Sequence, residues 1–405
     1  MGGIRTAQIP APPTLDVKAL PEFGAQVYGY DPTAPFDPAA FAELEELLYK
    51  HSLLVIRGVD LTPKQQYKLT KAFDATAEGS YGHGNNKTGS EKKSVLHPDL
   101  KTVPSQPQVQ LIGNGVPTDP RITQGLDKPQ LRHPHHKTFH KEVVSPEEEA
   151  QGITRFYRWH IDAALYDLLP PKVTTLYALS VPAGEEQTCR YDDGTGDELK
   201  VPLGTTAFVS GTKMFDILPP DLKSLAVRAK VRYAPHPYVW MAPAKSNSTG
   251  LGIVSDGKEL SKDDLPAWES SKIKEFPMTW KNPKTGKLHY QVHPSGAEAI
   301  IVAPLPAGVD PSGQILPEGG IISDLKETRE LLFKMQRPGI APELVYPHDW
   351  KKDDLCIFHN RGVLHSVVGA FEPDQVRAFW QCNLASGEEP LPPTADDVKT
   401  YSSFA

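Results

Sequence analysis

The tetrapeptide Trp159-His160-Ile161-Asp162 sets an imidazole and a carboxylate two residues apart. On a strand, residues i and i+2 leave the same face, so one short strand can offer both groups to a single metal ion. A third ligand must come from elsewhere in the chain, and Asn360-Arg361-Gly362-Val363-Leu364-His365 supplies a histidine for it. Two histidines and one carboxylate on one face leave adjacent metal positions open, the arrangement of non-haem Fe(II) oxygenases. A His-x-Asp pair alone arises by chance, and a solitary histidine is more often a satisfied core or surface residue. Two further residues add weight. Thr188 follows Asp162 by 26 residues, and Arg377 follows His365 by 12. Arg377 lies in an apolar strand pattern, where an unpaired guanidinium is costly, so a buried anion is expected beside it.

The elements that would position these groups are mostly strands. Apolar runs with β character occur at residues 53–57, 108–112, 156–161, 173–181, 205–210, 226–233, 299–302, 355–358 and 376–384. Helical spacing occurs at 37–49, 63–73, 220–227 and 324–334. Strands joined by long loops with a few outer helices predict a mainly β protein with peripheral helices, built on a double-stranded β-helix (jelly-roll) core. Residues 1–35 read as an irregular arm, 36–390 as one domain with loop insertions, and 391–405 as a tail. The polar stretch 78–106 and the His-rich stretch 133–140 are candidates for a closing lid. His133, His135, His136 and His140 lack a cysteine or carboxylate at a recognised metal spacing, so they are assigned to loop or lid rather than to a second metal.

Trp-His-x-Asp, the later threonine, Asn-Arg-x-x-x-His and the following arginine together resemble the taurine/2-oxoglutarate dioxygenase family. The likeness runs from about Phe41 to Leu384 and includes Leu54-Val55-Ile56-Arg57-Gly58 and Leu61-Thr62-Pro63. One departure is His359, where the family commonly has an aspartate. The resemblance implies that His160, Asp162 and His365 hold Fe(II), and that Thr188 and Arg377 hold a carboxylate of the cosubstrate 2-oxoglutarate. O2 would be the oxidant, with succinate and CO2 released.

The strand pattern at 377–383 speaks to the primary substrate. Alternation puts Arg377, Phe379, Gln381 and Asn383 on one face, and Gln108 and Gln110 share a face of their own strand. Four carboxamides could thus converge on one cavity. Uncharged planar donors and acceptors suit a flat heterocycle with carbonyl and N–H edges, whereas a sulfonate usually calls for Arg or Lys. Each amide could instead satisfy backbone groups or a neighbour. The Gln381-Cys382-Asn383 triplet and the run from Thr154 to His160 resemble the fungal xanthine/2-oxoglutarate dioxygenase branch. That likeness implies purine contacts from Gln381 and Asn383, with Glu148, Glu149 and Lys137 as further candidates, and oxygen delivered to C8 of xanthine to give uric acid. Glu148 and Glu149 also open a helix, where acidic residues are expected on structural grounds. Two readings stay open beside this one: a relative acting on a sulfonate, amino acid or secondary metabolite, and a non-enzymatic jelly-roll module that binds a ligand.

Bulk composition excludes other classes. With 405 residues, 39% hydrophobic and 23% charged, the chain is an ordinary globular one. A net charge of −7 spread along the sequence gives no nucleic-acid footprint. No apolar run reaches the length of a membrane span. Three cysteines without a CxxC pair point to neither a disulfide framework nor structural zinc, and a cytoplasmic setting is expected. Met1-Gly2-Gly3-Ile4-Arg5-Thr6 formally fits a myristoylation pattern but lacks a second anchoring signal. Oligomeric state is not fixed by any of these features.

Overall fold

Asp37 accepts from the amides of Ala39 and Ala40 and Pro38 opens the helix Pro38–His51, which ends where Ser52 turns into the left-handed region. Thr62 and Gln65 form a capping box at the start of the helix Pro63–Ala72. These two helices cover one face of a sheet. The computed structural model describes residues 3–77, 101–254, 257–372 and 374–403. Most of the segment 78–106 expected as a lid therefore lies outside the described residues.

That sheet has eight strands, in the order Arg5–Gln8, Ala25–Tyr28, Leu53–Ile56, Leu355–His359, Val173–Ser180, Arg377–Asn383, Gln106–Asn114 and Lys101–Val103. All neighbours are antiparallel except Ala25–Tyr28 with Leu53–Ile56. Alternation divides its faces as the sequence pattern requires. Val109, Leu111, Ala378, Trp380 and Cys382 pack under the helices with Leu44, Leu48 and Leu69. Phe379, Leu176 and Phe358 look the other way, towards Phe208. Phe208 belongs to a three-stranded sheet, Tyr346–His348, Thr206–Ser210 and Val363–Val367, and its ring centroid lies 5.2 Å from that of Phe358. The triad sits where these two sheets face each other.

Three sequence expectations are corrected. The stretch before residue 35 is not wholly irregular, because Arg5–Gln8 and Ala25–Tyr28 extend the large sheet. The C-terminal tail carries the helix Ala395–Ser402, fixed in part by a hydrogen bond between Ser224 and Ser402. Residues 156–161 do not make a regular strand. Their amides divide between two segments: Tyr157 and His160 donate to Val367 and His365, and Trp159 donates to Gly250. Only His160 forms a bridge, antiparallel to His365.

Candidate metal centre and substrate cavity

The bridge between His160 and His365 fixes the heart of the site. Their amides and carbonyls exchange two hydrogen bonds of 3.0 and 3.1 Å, and their ring centroids lie 4.1 Å apart. Nε2 of His160 and of His365 stand 3.6 and 3.4 Å from Oδ1 of Asp162. All three ligand-type atoms fall within 4.8 Å of one another. These separations suit donors converging on one small cation better than hydrogen bonds among themselves.

Each ligand is held from behind. His160 Nδ1 lies 3.0 Å from the Arg158 carbonyl, which calls for a proton on Nδ1 and leaves the Nε2 lone pair free. Burial, and then the neighbouring His365, lower the His160 pKa, which also favours the neutral ligand form. Among the described residues His365 Nδ1 has no hydrogen-bond partner, and packing against Phe358 and Phe208 orients that ring. Burial works against charge on Asp162, but the facing histidines, His365 foremost, hold its pKa well below the usual carboxylate range. Its Oδ2 accepts from Thr174 Oγ1 at 2.9 Å and Gln381 Nε2 at 3.2 Å. Asn360 clamps the Asp162 backbone, accepting from its N–H at 2.9 Å and donating to its carbonyl at 3.0 Å. A carboxylate and two imidazoles, one with its second nitrogen pinned and the other held by packing, fit Fe(II).

Arg377 is 2% exposed and lines the same cavity. Its Nε donates to the Gly204 carbonyl at 3.0 Å and Nη2 to Thr206 Oγ1 at 3.3 Å, but no described carboxylate pairs with it. Burial pulls its pKa down to about 9, so the guanidinium stays charged at neutral pH without a counter-ion. An acidic cosubstrate fits that vacancy in the charge balance. Thr188 is not brought there. It lies on Gln187–Arg190, in a separate sheet opposite Ile153 and Lys200, and does not line the cavity. The threonine that lines it beside Arg377 is Thr206, whose Oγ1 also accepts from Trp350 Nε1 at 3.3 Å.

Of the four expected carboxamides, Gln381 and Asn383 line the cavity. Gln110 lies directly opposite Gln381 in the strand register, so the two share a face, although Gln110 is buried and does not reach the cavity wall. Gln108 is engaged by the side chain of Gln106. Glu148 does not face the cavity; it closes a capping box with Ser145 and pairs with Arg190 at 2.8 Å. Glu149 pairs with Lys137 and with His135 Nε2, the latter at 3.2 Å. Neither Lys137 nor Glu149 lines the cavity, whereas His133 and Pro134 of the same stretch do. Gly369 permits that approach, since a Cβ there would stand 1.8 Å from the Pro134 carbonyl oxygen. Contrary to the spacing argument, Glu149 does bring a carboxylate to His135 and His136. The Val144 amide already donates to His136 Nε2, and Lys137 already takes Glu149 Oε2.

Sequence reasoning passed over Thr206, Thr174 and Arg158, all of which touch or line the site. No sequence signal singles out Thr206; it lies two residues before Phe208, whose pairing with His365 brings it to the site.

A match to the taurine catabolism dioxygenase TauD, TfdA family spans residues 16–383. The chain belongs to that family. It is 54% identical over 382 residues to the alpha-ketoglutarate-dependent xanthine dioxygenase xan-1 of Neurospora crassa, covering 93% of this chain and 86% of the relative. Identity is 49% to xanA of Emericella nidulans, with 94% and 99% covered, and 46% to xan1 of Schizosaccharomyces pombe, with 98% and 92% covered; both carry the same description. Among solved structures, a taurine dioxygenase from Burkholderia xenovorans superposes with a TM-score of 0.54 at 16% identity, covering 98% of this chain and 99% of that one. AAD-2 in complex with Mn(II) and N-oxalylglycine gives 0.53 at 18%, with 96% and 100% covered. At such identities the likeness extends to the fold alone. No described helix is long and apolar enough to cross a membrane.

Proposed function

We propose that this chain is an Fe(II)- and 2-oxoglutarate-dependent dioxygenase that hydroxylates xanthine to uric acid, with O2 consumed and succinate and CO2 released. The observation that carries this reading is one cavity holding the His160–Asp162–His365 triad, an unpaired Arg377, and the carboxamides Gln381 and Asn383. The three fungal relatives at 46–54% identity support the choice of substrate.

The chain's own residues divide the work. His160, Asp162 and His365 hold the metal, and Asn360 and Thr174 keep the Asp162 carboxylate aimed at it. Arg377 takes the cosubstrate's far carboxylate, which restores charge balance to a buried guanidinium. Gln381 and Asn383 present neutral donors and acceptors to the planar substrate. Bound iron and 2-oxoglutarate supply the oxygen activation, while the protein orients the reactants and excludes water. Leu111, Ile112, Leu131, Leu176 and Val367 give that enclosure its apolar wall. Thr188, Lys137, Glu148 and Glu149, expected from the resemblance, are not needed at the cavity wall in this arrangement.

We read the two facing sheets as the double-stranded β-helix core of one domain, and the cytoplasm as the site of action. The deciding experiment incubates purified protein with Fe(II), ascorbate, 2-oxoglutarate and xanthine, scoring uric acid and succinate together. Succinate released with a sulfonate or another purine, and none with xanthine, would overturn the substrate.

A further inference from the structure

Arg158 is a second buried guanidinium in the cavity, and nothing described answers its charge. The residue is 8% exposed and lines the cavity beside His160. Its guanidinium carbon stands 5.1 Å from the Phe139 ring centroid and 5.3 Å from those of Tyr157 and Tyr238. Three aromatic faces stabilise a cation but accept no planar hydrogen-bond fork. Among the described residues its buried Nε has no hydrogen-bond partner, and no carboxylate pairs with the group. Among the described residues that line the cavity Asp162 is the one carboxylate, and it is engaged by the histidines, Thr174 and Gln381. Both sides of the Arg158 backbone are also fixed. Its N–H donates to Ser366 Oγ at 3.2 Å, and its carbonyl lies 3.0 Å from His160 Nδ1. The guanidinium therefore has a set position relative to the metal triad.

A buried, caged and unanswered guanidinium beside a ligand cavity needs acceptors from the ligand. We propose that Arg158 is a specificity-determining residue that holds an acceptor edge of the primary substrate, either adjacent carbonyl and ring-nitrogen acceptors or their deprotonated form. A guanidinium fork matches two neighbouring acceptors on an oxopurine, the geometry by which arginine reads guanine. Gln381 and Asn383, on the strand Arg377–Asn383, supply mixed donors and acceptors, so the heterocycle is read on more than one side. The cavity then carries two buried guanidinium groups for two guests: Arg377 for the cosubstrate and Arg158 for the substrate. The inference deepens the xanthine reading and rests on it.

The test compares Arg158→Met, which keeps the apolar stem inside the aromatic cage, with Arg158→Lys, which keeps the charge without the fork. Anaerobic titration of the Fe(II)–2-oxoglutarate complex with xanthine, followed by the charge-transfer absorption, reports binding without turnover. The Met variant is expected to weaken xanthine about tenfold or more, raise KM far more than it lowers kcat, and leave 2-oxoglutarate binding within about twofold. The Lys variant is expected to fall between the Met variant and the parent. Unchanged xanthine binding in the Met variant with a lowered thermal midpoint would show a packing residue and overturn the proposal. So would a loss confined to 2-oxoglutarate. Both outcomes leave uric acid formation by the parent intact; a parent that neither binds nor converts xanthine overturns the substrate reading and this inference together.

Discussion

Gln381 donates from Nε2 to Asp162 Oδ2 across 3.2 Å, so the strand that carries Arg377 also steadies the carboxylate of the triad. From alternation alone, Gln381 faces the substrate; in the fold it serves the metal ligand with one end and the cavity with the other. Removing it should therefore disturb both. Gln381→Ala is expected to lower Fe(II) affinity about 10-fold to 100-fold, the usual effect of losing a partner behind a ligand, together with weaker xanthine binding. Asn383→Ala, whose residue touches no ligand in the described contacts, should weaken xanthine alone. Competition with a metal-sensitive dye separates the two. Equal Fe(II) affinity in parent and Gln381→Ala would remove Gln381 from the metal's support.

Asn360 is the other residue on which Asp162 depends. Its side chain is fully buried and makes three hydrogen bonds, to both backbone groups of Asp162 and to the Pro171 carbonyl at 3.1 Å. Asn360→Ala leaves those groups without partners, and each buried orphan costs about 1–3 kcal/mol. The expected outcome is a loss of about 2–4 kcal/mol in stability with weaker metal binding, while Asn360→Asp retains only the acceptor role. Urea denaturation with and without Fe(II) distinguishes the contributions. A stability unchanged within error would contradict the clamp.

Arg377 should behave oppositely in the ligand-free and ligand-bound protein. Without a counter-ion its burial is unfavourable, so Arg377→Met is expected to leave the free protein no less stable than the parent. The same change should weaken 2-oxoglutarate about 30-fold or more, since breaking a buried charge pair costs about 2–5 kcal/mol. Thermal denaturation across a 2-oxoglutarate series tests both halves: the parent's midpoint climbs with ligand and the variant's stays flat. A variant midpoint that climbs equally would mean the carboxylate is held elsewhere.

The triad was legible because a metal site states its chemistry in residue type, and because His160 and Asp162 lie close enough in sequence to share a face. Arg377, Gln381 and Asn383 were legible for a related reason: they lie on a regular strand, where period two decides direction. Thr188 and Thr206 show the limit. Both are threonines in strand-like runs, and only pairing between distant segments decides which one meets Arg377. Arg158 was hidden because its stretch alternates hydrogen-bond partners instead of joining one sheet, so its surroundings come from Phe139 and Tyr238, remote in sequence. The strands before residue 35 were missed because Arg5–Gln8 is exposed and borrows its order from pairing with Ala25–Tyr28.

Buried histidines outside the triad predict how the fold responds to acid. Burial lowers the pKa of His136 to about 3, and those of His140 and His289 to about 4, from an ordinary value of 6.5. His140 lies 2.7 Å from the Tyr157 carbonyl, and His289 sits between Thr212 Oγ1 and Asn282 Nδ2. Between pH 6.5 and about 4 the unfolded chain binds protons at these positions and the folded chain does not, so stability falls as pH falls through that window. Above pH 6.5 both states are neutral there, and the contribution is flat. His289→Asn, which keeps a polar side chain of similar reach without the titration, should flatten the acid limb of a plot of unfolding free energy against pH. The slope between pH 6 and about 4.5 should decrease by up to one proton equivalent, roughly 1.4 kcal/mol per pH unit. An identical slope in parent and variant would show that His289 is protonated within the folded state.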